Sequence, residues 1–130
     1  MSLSSHPVGP VIPVSDLEAS RGFYEDKLGL EGEPTPGGYL VRAAGGTVIY
    51  LLDGGELAGK ADWPLASFES DDLAAAVASL RENGVEFLSM SAADGDPFDT
   101  DERGISAQED IAVAWMLDPD GQVLTVFERS

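Results

Sequence analysis

Apolar positions along the chain switch between two rhythms, and the first clear switch comes within Val14–Glu31. Pro10-Val11-Ile12-Pro13-Val14 is a short apolar run of strand character, and the strand is expected over about Val8–Val14. Pro10 and Pro13 lack ladder donors, so this strand is expected to be irregular. Ser15 or Asp16 then offers a side-chain oxygen to free backbone N–H groups, an N-cap signature. Leu17, Ser20, Tyr24 and Leu28 follow at spacings of three and four, with Phe23 beside them, which is the buried face of a helix over about Asp16–Leu28. Gly29 stands where a helix commonly stops in a left-handed residue. Leu30–Pro34 is a weak strand candidate, and Pro36-Gly37-Gly38 a turn. Tyr39–Ala44 and Thr47–Leu52 are expected strands, joined through Gly45-Gly46 as a hairpin.

The same order returns. A strand is expected over Trp63–Ser70, a helix over about Asp71–Asn83 with Leu73, Ala76, Val77 and Leu80 inward, and strands over Val85–Ser89, Ile111–Leu117 and Gln122–Phe127. Residues 90–110 are expected to form a long acidic loop, either mobile and solvated, which is the simpler reading, or with Phe98 inside it a gate that attracts cations, and Asp118-Pro119-Asp120-Gly121 a tight turn rather than a calcium loop. Ser15 and Ser70, Asp16 and Asp71, Gly29 and Gly84, and Glu31 and Glu86 match at a constant offset of 55. Two copies of one β-α-β-β-β unit therefore fill nearly the whole chain, about 8–53 and 63–128 with a connector at 54–62, so this is a duplication and not a solenoid. Residues 1–7 read as a loose tail.

Composition narrows the functions. At 130 residues with 43% apolar, the chain can bury a real core. Without cysteine it has no disulfide, thiol nucleophile or zinc–thiolate site, and the expected setting is the cytoplasm. Neither a signal peptide nor a membrane-spanning run is visible. Lys plus Arg is 7 against Asp plus Glu of 24, a net charge of −17, which argues against nucleic acid and anionic membranes as partners. That charge favours a cationic ligand, or serves solubility or salt adaptation, and the second reading is the simpler one. No phosphate-binding loop with its Lys is present, and the single histidine, His6, lies in the tail.

Val14-Ser15-Asp16-Leu17-Glu18-Ala19-Ser20, Phe23-Tyr24 and Leu28-Gly29-Leu30 resemble the first module of the vicinal-oxygen-chelate superfamily of glyoxalases, bleomycin-resistance proteins and extradiol dioxygenases. Phe68-Glu69-Ser70-Asp71-Asp72-Leu73, Asn83-Gly84-Val85 and Asp118-Pro119-Asp120-Gly121 resemble its second module and the turn before its last strand. The resemblance covers about residues 8–128 and implies an α+β fold of two βαβββ modules whose curled mixed sheets form a cup around one ligand site, with a homodimer as the common assembly.

Catalytic members hold a divalent metal in that cup, and carrying their ligand places over by spacing gives Gly9, Tyr50, Leu65 and Thr125. None is a usual ligand of a catalytic divalent metal, and a one-residue slip brings none in. Glu128 is three residues past Thr125, so strand alternation turns it to the opposite face. No metal and no other cofactor is therefore expected. The same parity lines the cup with Gly9, Val11 and Pro13, with Val48, Tyr50 and Leu52, with Leu65, Ser67 and Glu69, and with Val123, Thr125 and Phe127. The candidate binding residues are Tyr50, Thr125, Ser67, Glu69, Phe127 and Val11, together with Trp115, whose parity the apolar strand leaves open. Tyr50 either donates to a ligand or fills space and bonds to Thr125 or Ser67. Trp115 and Trp63 either stack on a planar or cationic ligand or belong to a core or interface.

The expected function is a metal-free binding protein of the bleomycin-resistance type that sequesters a small organic molecule, with a cationic or aromatic compound such as an antibiotic favoured. The alternatives are a glyoxalase-type lyase, isomerase or dioxygenase whose metal ligands lie elsewhere, and a regulatory or structural dimer with a filled cup.

Overall fold

The structure is a computed structural model and describes residues 2–130; of the expected tail, Met1 lies outside the described residues. The chain divides into two compact units, Met1–Lys60 and Ala61–Ser130.

The first unit is a four-stranded mixed sheet with one helix on it. Its strands are β1 (Val11–Val14), β2 (Glu31–Thr35), β3 (Gly38–Arg42) and β4 (Val48–Asp53), in the order β1-β4-β3-β2, with β1 parallel to β4 and the other pairs antiparallel. Asp16 caps the helix: its Oδ1 accepts from Ala19 N at 3.2 Å. The helix α1 (Leu17–Arg21) continues as a π-helical segment, Gly22–Lys27, wider than the regular helix expected there. Ser20, Phe23 and Tyr24 are buried on its inner side. Ile12, Tyr39 and Leu51, neighbours across the register, form with Val14, Val41 and Ile49 the buried layer of the sheet. Tyr39 ties the layers together: its hydroxyl donates to Glu25 at 3.0 Å and the Arg21 guanidinium lies over its ring at 4.6 Å. Burial and the Glu25 carboxylate hold the Tyr39 phenol above its usual value.

The second unit repeats the plan with one strand more. Its strands are β5 (Ser67–Glu69), β6 (Glu86–Phe87), β7 (Ile105–Ala107), β8 (Ile111–Leu117) and β9 (Val123–Arg129), in the order β5-β9-β8-β6, with β7 also on β8. The strand β7 replaces the end of the expected loop. Its three residues are too few to show a period, and what holds them is antiparallel pairing with β8 from Ile105↔Ala114 to Ala107↔Ala112. β5 is shorter than the expected strand, because residues 63–66 follow β9 only through single bonds such as Leu65 N to Val123 O at 3.2 Å. The helix α2 (Leu73–Glu82) buries Leu73 and Val77. Phe87, Ala114, Met116, Leu124 and Val126 form the buried layer of this sheet.

The repeat needs one correction. Asp72, not Asp71, caps α2, accepting from Ala75 N at 3.1 Å. The caps are thus offset by 72 − 16 = 56, while the left-handed glycines that end the two helices, Gly29 (φ 78°) and Gly84 (φ 88°), remain offset by 55. After them, Leu30 N bonds back six residues to Tyr24 O, whereas Val85 N bonds back five to Leu80 O. The first helix therefore contains one more residue than the second, and its wide π-helical turns take it up.

Candidate functional site

Each sheet has one face under its helix and one face without it. In the first unit the helix-free face carries Val11, Pro13, Leu40, Val48, Tyr50 and Leu52. Val11 pairs with Tyr50, Leu40 with Tyr50 and Pro13 with Leu52, so these side chains adjoin. Tyr50, Val11 and Leu52 are exposed, the first at 37%. The Tyr50 hydroxyl has no hydrogen-bond partner among the described residues. Leu40, not among the expected lining residues, also belongs to this face, as its alternation with the buried Tyr39 and Val41 signals.

In the second unit the helix-free face carries Ser67, Glu69, Val113, Trp115, Val123, Thr125 and Phe127. Ser67 pairs with Thr125, Glu69 with Phe127, and Trp115 with Thr125 on its other side, which assigns Trp115 to this face. The buried Thr125 hydroxyl lies 2.6 Å from Ser67 Oγ, to which it donates. Glu69 is engaged by the Arg129 guanidinium, which Glu69 in turn holds above its usual value, so the carboxylate is a paired and not a free anion. Trp63 points to solvent at 63% exposure, and only its backbone carbonyl is used, accepting from Gln122 Nε2 at 3.0 Å. The structure thus collects the seven candidate residues into two groups, Val11 and Tyr50 on one sheet and Ser67, Glu69, Trp115, Thr125 and Phe127 on the other.

The donor set does not fit a catalytic metal. At Gly9 an added Cβ would lie 2.0 Å from the Val48 carbonyl oxygen, so a ligating side chain there would require the backbone to move. Leu65 has no donor, Thr125 is bonded to Ser67, and Tyr50 offers a lone phenol. Glu128 faces α2, where Oε1 accepts from Leu73 N at 2.7 Å. Among the described residues no three His, Asp or Glu side chains converge as a ligand group.

The acidic segment between β6 and β7 is exposed, as expected of a solvated loop, and is also internally hydrogen-bonded. Met90 N donates to Thr100 Oγ1 at 2.8 Å and Thr100 N to Met90 O at 3.0 Å, closing its base. Ser91 N donates to Asp96 at 2.9 Å and Ala92 N to Asp99 at 2.7 Å. Asp101 accepts from Arg103 N at 2.9 Å, Ile105 N at 3.0 Å and the Arg103 guanidinium at 2.7 Å. The guanidinium first, then the Ile105 amide, holds the Asp101 carboxyl below its usual value. Several of these carboxylates therefore serve as backbone acceptors, a use that net charge alone does not show. Phe98, two residues before Thr100, stacks on Trp115 with ring centroids 5.2 Å apart and planes at 28°.

A family model described as bleomycin resistance protein-like N-terminal matches residues 8–40. No curated protein matches the chain. Among solved structures, TnmS3, an antibiotic binding protein from Streptomyces sp. CB03234, is 23% identical over all of both chains with a TM-score of 0.67. A glyoxalase/bleomycin resistance protein from Catenulispora acidiphila is 23% identical over 97% of this chain and 100% of its own, with a TM-score of 0.68. An integron cassette protein from the mobile metagenome of V. cholerae is 25% identical over 100% of this chain and 99% of its own, with a TM-score of 0.63. The chain shares the α+β fold of these antibiotic binding and glyoxalase/bleomycin resistance proteins.

Proposed function

We propose that the protein binds and sequesters a small organic molecule without the help of a metal ion. The observation that carries this reading is the residue chemistry at the four matched positions: a glycine backed by the Val48 carbonyl, a phenol, a leucine, and a threonine bonded to Ser67. The binding groups are those of each helix-free face. On the second unit Trp115 and Phe127 supply apolar area and the Thr125–Ser67 pair supplies polar groups; on the first, the Tyr50 hydroxyl, without a partner among the described residues, offers a directed hydrogen bond. A planar ligand suits the indole, and the net charge of −17 favours a cationic one. That TnmS3 is an antibiotic binding protein supports a compound of that kind. The resemblance supports a homodimer as the working assembly.

Calorimetry on the dialysed protein tests the proposal, with nickel, zinc and manganese in one series and planar organic cations in another. Moderate salt suppresses diffuse cation binding to the 24 carboxylates. Saturable one-to-one binding of an organic cation, weakened by Tyr50→Phe and accompanied by no tight metal site, is the expected outcome. A tight stoichiometric metal site overturns the proposal and restores the enzyme reading. The filled-site reading has one observation in its favour, the Phe98 ring on Trp115.

A further inference from the structure

Trp115 lies on a sheet face that no helix covers, yet its side chain is only 9% exposed. Phe98 stacks on it, with centroids 5.2 Å apart. One stacked contact takes about 4.5 Å or more between centroids, so a ring held between two others needs about twice that. Phe98 and a planar ligand therefore cannot share the Trp115 face as the rings now stand.

The segment that carries Phe98 is held by polar bonds rather than by a core. Asp96 and Asp99 flank Phe98 and accept from Ser91 N and Ala92 N, and both bonds are exposed. The base, between Met90 and Thr100, is part-buried. Phe98 itself is 38% exposed. Water can take over both exposed carboxylate bonds, so residues 96–99 can release Phe98 while the base bond at Thr100 stays closed.

We infer that Phe98 is an internal occupant of the ligand-stacking face: it competes with the ligand for Trp115 and leaves when the ligand binds. The inference rests on the proposed binding function and adds a regulated step to it. It reconciles the filled and the ligand-binding readings, because the face is occupied by a group that can leave.

The test uses the full chain in a Trp63→Phe background, which makes Trp115 the single indole, with proflavine, a planar aromatic cation, as the probe. Without dye, Phe98→Ala raises acrylamide quenching of Trp115 above that of the Phe98 parent. With dye at about 0.15 M salt, Phe98→Ala binds about three- to tenfold more tightly, the reciprocal of one lost aromatic stack. Adding Trp115→Leu removes that gain. Unchanged acrylamide quenching overturns the inference, since Phe98 then does not cover the indole in solution. Equal or weaker dye binding by Phe98→Ala also overturns it, making Phe98 a wall of the site and leaving the binding function in place. Dye bound by neither protein, with Trp115 opened to acrylamide in the variant, overturns the inference and the binding reading together.

Discussion

Glu128 separates a structural from a functional reading of the last strand, and its removal has a magnitude that the geometry supplies. Leu73 is the first residue of α2, and its N–H has no partner within the helix. Glu128 Oε1 accepts that N–H at 2.7 Å in a part-buried setting, while Asp72 serves Ala75 N. A hydrogen bond to a charged group contributes about 1.5–3 kcal/mol, and a carboxylate at a helix N-terminus about 0.3–1 kcal/mol more. Partial exposure places the sum near the low end, so Glu128→Ala should cost about 2 kcal/mol. With about 2.1 cal/mol/K of unfolding entropy per residue, a chain of this size loses about 7 °C in Tm. Glu128→Gln keeps the acceptor and gives up the charge, so it should cost about half. Thermal and urea unfolding of both variants, with the exposed Glu109→Ala as a control expected within about 0.5 kcal/mol, makes the measurement. A Glu128→Ala protein with unchanged Tm that has lost a saturable metal or ligand site would refute the reasoning, because the carboxylate would then be acting on the other face of β9.

Three further outcomes follow from features already described. Ser20→Ala should stabilise the protein by about 1 kcal/mol in urea unfolding, because the Ser20 hydroxyl is fully buried without a partner among the described residues and alanine is the better helix former; a loss of stability would reveal a partner. Gly9→Ala should cost about 1–3 kcal/mol, since the added Cβ meets the main-chain oxygen of Val48 and not a side chain that can turn away; a neutral result would mean that β1 is free to shift. Because the Asp101 carboxyl is held below its ordinary value, its contribution is complete above pH 4 or so and is lost as pH falls through its lower folded value. The Ile105 amide resonance should report that acid step, and in Asp101→Asn the step should vanish.

What could be read from the residues was what short-range chemistry dictates. A cap at Ser15 or Asp16, which the structure gives to Asp16, Gly29 and Gly84 as left-handed stops, and Ile111–Leu117 as a strand each follow from local groups. Strand parity, counted from the positions that the family resemblance supplied, put Val11 with Tyr50 and turned Glu128 away from Thr125. Pairing decided by distant partners stayed hidden. β7 exists because β8 offers it an edge, and the parity of Trp115 became readable only through its partner Thr125. The carboxylates of the segment before β7 were hardest to read. A run of Asp has the same composition whether it faces water or, as at Asp96, Asp99 and Asp101, accepts the N–H groups of its own segment.

The π-helical segment Gly22–Lys27 leaves a mark on the numbering. One residue added to a regular helix turns everything beyond it by about 100°. That would rotate Gly29 and the start of β2 away from the sheet they must join. In this chain the caps before the helices keep one offset between copies, and the glycines after them keep another that is one smaller. The addition was absorbed where it entered, and nothing downstream had to be rebuilt. Residues 22–27 are thus a tolerance joint, a place where the length of a duplicated chain can drift by one while both copies keep the same plan.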